Sequence, residues 1–161
     1  MASSVIYSSL TGNTKKIAGI IADELGVPAV NVRRLPKDWK PPHLIVIGTG
    51  VYANRAAQPL IKWLYDSPSF RGRRAAVFVT AGDVENGKQV ATWLVKVLES
   101  KGAKVKAAFV CSGAFFWIIN RGHPDEKELT AARKFAKKIA PRTRPKSTKK
   151  SKKPKKKKVT A

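Results

Sequence analysis

Short apolar runs and helical patterns alternate along this chain from its first residues. Residues 3–8 carry Val5, Ile6 and Tyr7 and predict a short buried strand. Ile17, Ile20, Ile21 and Leu25 then fall on one helical face, with Gly26 as a stop signal. Residues 29–35 alternate apolar and polar positions and predict an edge strand, and the prolines of 38–42 mark a loop. A central strand is predicted over 43–50, then a helix near 56–65 with Leu60, Ile61 and Leu64 facing inward. Residues 74–82 make a fourth strand. Val90, Leu94, Val97 and Leu98 mark a third helix closed by Gly102, and 104–113 make a fifth strand. The last helix, over roughly 125–140, presents Leu129, Ala132, Ala136 and Ile139. Its acids lie in the first turn and its lysines late, as the helix dipole favours.

Strands interleaved with helices predict an α/β fold: a doubly wound, five-stranded parallel sheet covered on both faces. Ligands of such sheets bind beyond the carboxyl ends of the strands. That rule selects three loops, 8–14, 49–56 and 80–87.

Charge adds a second part to the picture. The chain has 33 Lys and Arg against 10 Asp and Glu, and eleven of the positive charges lie in residues 141–161, which hold no acid. The expected organisation is a folded domain over 1–140 and a Lys/Arg-rich tail over 141–161, too polar to offset its chain entropy and therefore disordered. The tail explains only half of the excess, because residues 1–140 keep 22 basic against 10 acidic side chains. A run such as Lys155 to Lys158 suits nucleic acid or an anionic membrane equally, or serves as a solubilising tail without a partner. No aromatic interrupts it to stack on bases.

Cys111 is the only cysteine, which excludes an internal disulfide and fits a reducing compartment. No signal-peptide pattern and no long apolar run occurs, so a cytoplasmic protein is expected, at most peripheral at a membrane. His43 and His123 lie in no metal-ligand or triad spacing, so neither a metal site nor a catalytic side chain is expected.

The first loop concentrates hydrogen-bonding groups: Ser9, Leu10, Thr11, Gly12, Asn13 and Thr14. It lacks both the dinucleotide G-x-G-x-x-G and the triphosphate G-x-x-x-x-G-K-[ST] spacings. Short hydroxyls at a helix N-terminus add donors to unpaired amides, and Gly12 allows close backbone approach, so a phosphate receptor is one reading. A plain helix cap is the other.

The pattern S-x-T-G-N-T after the first strand resembles the phosphate loop of flavodoxins. The resemblance extends through "VIGTGVYANR", "VTAGD" and "GAKVKAAFVCSG" and covers about residues 3–140. It is closest to the small flavodoxin-domain branch that includes the menaquinone-dependent protoporphyrinogen oxidases, whose final helix "PDEKELTAARKFAKKIA" is similar to. The resemblance implies FMN as cofactor, the strand order 2-1-3-4-5, and chemistry carried by the flavin. It also implies that the flavin ring lies across Thr49, Gly50, Val51, Tyr52 and Asn54 and across Thr80, Ala81, Gly82 and Asp83.

Tyr52 would stack on the ring or else pack on the second helix. Gly50 resembles the residue whose peptide turns toward the flavin. Asp83 would stand beside the ring or cap the next helix. The third loop lacks the second stacking aromatic of many electron carriers, and the basic domain departs from their usual acidity.

The five apolar residues Phe115, Phe116, Trp117, Ile118 and Ile119 suit either a wall for a flat apolar acceptor or a loop packed on the core. The expected function is electron transfer through FMN, as a carrier serving a redox partner protein or as an oxidoreductase on a quinone or porphyrinogen. The alternative is a flavodoxin-fold module without flavin whose tail binds nucleic acid or membrane.

Overall fold

The structure, a computed structural model, describes residues 2–112 and 125–141. The apolar stretch 115–119, His123 and all of the tail beyond Pro141 lie outside the described residues. In chain order the elements are β1 (Ser3–Ser8), α1 (Asn13–Leu25), β2 (Ala29–Asn31), β3 (Leu44–Tyr52), β4 (Arg55–Ala56), α2 (Gln58–Asp66), β5 (Arg74–Ala81), α3 (Val84–Ser100), β6 (Lys104–Ser112) and α4 (Glu126–Ile139).

The main strands are parallel and run β2-β1-β3-β5-β6, which is the expected 2-1-3-4-5 order once the two-residue β4 is set aside. Val5 pairs with Val46 across β1 and β3, and Ile47 pairs with Val77 across β3 and β5. The period of two divides each strand between two cores. Val5 and Tyr7 join Ile17, Ile21, Leu129 and Ile139 under α1 and α4, whereas Ile6 joins Leu60, Leu64, Leu94 and Leu98 under α2 and α3. Truncating a fully buried leucine such as Leu94 to alanine costs about 2–5 kcal/mol. Gly48 is required by packing. A Cβ there would lie 1.9 Å from Cζ of Phe78, its neighbour on β5.

Two elements differ from the sequence pattern. The second strand stops at Asn31, where the asparagine side chain accepts the amide of Arg33 at 3.0 Å and turns Val32–Arg34 into a short 3-10 helix. That local bond competes with the sheet ladder and ends it. The third strand runs on to Tyr52 and folds back as a hairpin with β4, where an open loop is predicted. Ala53 and Asn54 both take positive φ, 47° and 61°, the two-residue turn whose twist matches that of its strands. Alanine in this region costs roughly 1–2 kcal/mol.

Candidate functional site

The loop between β1 and α1 opens at the carboxyl end of the sheet. Gly12 holds it in shape. It is the residue before the first helical turn, sits at φ +90°, and makes no side-chain cap bond. Ser9 and Thr11 bond within the loop. Ser9 Oγ accepts the Gly12 amide at 3.0 Å, and Thr11 Oγ1 accepts from Asn13 Nδ2 at 3.3 Å. A hydroxyl that accepts in this way still has its own hydrogen to donate. The cradle thus offers outward-facing donors: two hydroxyls beside the positive end of a 13-residue helix.

Thr14 is placed differently. It is 1% exposed, and its hydroxyl meets that of Thr80 at 2.7 Å, tying the first turn of α1 to the end of β5. It stands behind the cradle and fixes its position relative to the third loop. Leu10 presents its side chain to solvent, 67% exposed, while its amide donates to Tyr52 Oη at 2.9 Å.

That bond brings the second loop onto the first. Tyr52 lies back over Gly50, where a Cβ would approach the tyrosine hydroxyl to 2.6 Å. Close passage of the ring is what requires glycine here, since Gly50 is not among the residues with positive φ. Thr49 is fully buried. Its Oγ1 accepts the Ala57 amide at 3.0 Å and donates to the Gly50 carbonyl at 2.8 Å, closing the base of the hairpin. Val51 pairs with Ala56, and Asn54 occupies the exposed turn.

Thr80 and Ala81 end β5, and Gly82 leads to Asp83. The Asp83 carboxylate accepts the Glu85 amide at 2.9 Å and caps α3, the second of its two expected roles. Three loops far apart in sequence therefore meet at one edge, joined by the Leu10–Tyr52 and Thr14–Thr80 bonds.

Two further features lie outside the three loops. Glu128 accepts the Ser112 amide at 2.8 Å through one oxygen and the Asp125 amide at 2.9 Å through the other, clamping the end of β6 to the start of α4. Its signal was the D-x-x-E capping box opening the last helix. Arg55, Tyr65 and Trp93 line a groove of about 320 Å³ beside the hairpin, and no sequence pattern links them. Burial, with the Glu128 carboxylate adding to it, pushes the Cys111 thiol up to about 12, so this cysteine is an inert part of the core. Among the described residues no group of three metal-ligating side chains comes together.

A parallel sheet in 2-1-3-4-5 order, with a donor-lined loop at the end of its first strand, defines the flavodoxin class of fold. The chain matches the flavodoxin domain family over residues 4–116. It is 32% identical over 142 residues to an uncharacterized protein of Methanocaldococcus jannaschii, covering 83% of this chain and 94% of that one. It is 29% identical over 119 residues to a flavodoxin of Clostridium saccharobutylicum, covering 68% of this chain and 72% of that protein. The solved structure of a flavodoxin from the domain Archaea superposes with a TM-score of 0.69 at 19% identity, covering 87% of this chain and 96% of that one. This chain belongs to the flavodoxin domain family, and its cofactor is FMN. The cradle fits that cofactor's phosphate, because it consists of hydroxyl and amide donors with no carboxylate in the 9–14 loop.

Proposed function

We propose that this protein transfers electrons through FMN to a flat, apolar acceptor of the quinone or porphyrinogen kind, with the phosphate held by residues 9–14. The observation that carries the reading is the cradle of hydroxyls and helix-end amides, without a carboxylate, at the head of α1 in a chain of this family. When bound, FMN supplies the one- and two-electron chemistry.

The chain's own residues supply placement. Ser9, Thr11 and the amides that follow would bind the phosphate, with Gly12 letting the backbone approach. Tyr52, already bonded to the phosphate loop, would cover the ring. The backbone of Thr80, Ala81, Gly82 and Asp83 would line the ring's polar edge. The acceptor class is supported by exposed apolar side chains at this end: Leu10 follows β1 and Val84 follows β5, 67% and 38% exposed. It is also the class expected from the resemblance to the protoporphyrinogen oxidase branch.

A yellow protein that binds FMN stoichiometrically and loses affinity in Thr11→Ala is the expected result. A colourless protein that takes up no added FMN would sink the assignment and favour a flavin-free binding module. Turnover with a menaquinone analogue would distinguish an oxidoreductase from a carrier, which would show reversible electron exchange without turnover. The site of action in this reading is the cytoplasm; no helix among the described residues is long and apolar enough to cross a membrane.

A further inference from the structure

The opposite end of the sheet, where the strands begin, carries a groove of about 390 Å³ lined by Gly72, Arg73, Arg74, Gly102, Lys104 and Lys106. Every charged residue lining it is basic. The turn before β5 and the turn before β6 form its walls and are bonded to one another. The Phe70 amide donates to the Lys101 carbonyl at 2.8 Å, and the Lys104 amide donates to the Arg73 carbonyl at 2.8 Å. Gly72 and Gly102 hold these turns at φ +76° and +93°, and a Cβ on Gly102 would come within 3.0 Å of Arg71 Cα. The walls are therefore fixed before any ligand arrives.

The basic side chains have no internal use. Among the described residues the one ion pair is Lys88–Glu85, on α3, so none of the groove's cations is neutralised by a carboxylate. Arg74 Nε is buried without a hydrogen-bond partner. A bulge adds to the concentration of charge. Ala75 pairs with Val105 and Ala76 with Ala107, which leaves Lys106 as the extra residue on β6. A bulge re-aims the side chain it carries. Lysines on an edge strand are accounted for by protection against pairing with another chain. That role does not extend to Arg73 and Arg74, which precede and open the inner strand β5.

We infer that this groove binds the phosphodiester backbone of nucleic acid without reading its sequence. Arginine forks and lysines in a concave channel match a chain of phosphates. A lipid surface fits less well, because no exposed large hydrophobic side chain lies among the groove residues to insert into it. The placement also accounts for charge that the tail leaves unexplained. Helix α4 starts at the carboxyl end of β6 and packs on α1, so it finishes at the groove's end of the sheet with Lys137 and Lys138 in its last turn. The eleven basic residues of 141–161 follow from there in sequence.

The test is binding of the full chain to a fluorescein-labelled oligodeoxythymidine, by anisotropy over a salt series. Removing three phosphate contacts with Arg73→Ala, Lys104→Ala and Lys106→Ala should weaken binding roughly tenfold or more and flatten the slope of log K against log salt by about 2. Lys62→Ala, Lys96→Ala and Lys127→Ala remove the same charge elsewhere and should change affinity by no more than about twofold. All three groove side chains are exposed, so the triple variant should keep its circular dichroism spectrum and its FMN. If it does not fold, Lys106→Ala alone should still lower the slope by about 0.7.

Equal losses in the two triple variants, or no loss in the first, would overturn the inference and leave the tail or the net charge as the cause. Tighter binding to phosphatidylserine vesicles than to the oligonucleotide, lost in the groove variant, would overturn it in favour of a lipid.

Discussion

The two ends of the sheet present hydrogen-bond donors of opposite kinds. At the carboxyl end the donors are neutral: the Ser9 and Thr11 hydroxyls and the amides that open α1, with Lys15 and Lys16 turned to solvent on its first turn. At the amino end the donors are charged, from Arg73, Arg74, Lys104 and Lys106. Neutral, oriented donors favour one small group of fixed shape, because each must find its own oxygen. Cations bind through long-range charge and release counterions, which suits an extended ligand of repeating phosphates. One fold thus separates donors suited to a shape from donors suited to a charge density.

Salt should separate the ends most strongly. Raising ionic strength from 50 to 200 mM should weaken oligonucleotide binding about a hundredfold, whereas FMN retention should change by no more than about twofold. Parallel titrations by anisotropy and by flavin fluorescence measure both. Comparable losses at the two ends would erase the contrast.

Next in size is the tie behind the cradle. Thr14→Val leaves the buried Thr80 hydroxyl without its partner and should lower stability by about 1–3 kcal/mol, with weaker FMN binding because the first and third loops are no longer joined. Changing Thr80→Val as well removes both groups and should restore most of the stability. Denaturant unfolding of the single and double variants measures this, and a double variant no better than the single would contradict it.

The buried core at the carboxyl end also has a pH signature. In the folded state Cys111 keeps its proton up to about 12, while the unfolded chain loses it near 9.0. The folded state then binds more protons between these values, so this residue makes stability fall as pH rises through that window. Cys111→Ala should flatten that part of the stability profile. The native thiol should resist alkylation at pH 8 and react once the protein unfolds.

The smallest expected effect is that of Tyr52→Phe. It keeps the ring but removes the bond to the Leu10 amide, at an exposed position, and should cost about 0.5–1 kcal/mol. Oligonucleotide binding should be untouched.

The cradle was legible because its residues are consecutive. Ser9 to Thr14 lie within one turn of chain, and the strand before them and the helix after them are both strongly periodic. What each residue does there was not legible. The hydroxyls of Thr11 and Thr14 look alike in the sequence, yet one accepts within the loop and the other is buried against Thr80, 66 positions away. The hairpin at Ala53 and Asn54 carries no such sign, because alanine does not point to a left-handed turn, although asparagine tolerates one. The basic groove was invisible for a related reason. Arg74 and Lys104 belong to separate strands and become neighbours only when β5 pairs with β6.

The amino-acid sequence by itself determined the alternation of strands and helices, the two-sided sheet and the position of the first loop. Periodicity, glycines and helix ends act over a few residues and are written in the chain directly. The tertiary structure alone decided which side chains share an edge: Tyr52 with Leu10, Thr14 with Thr80, Arg74 with Lys104. Those meetings depend on strand order and register, and these follow from how all the apolar faces are buried at once.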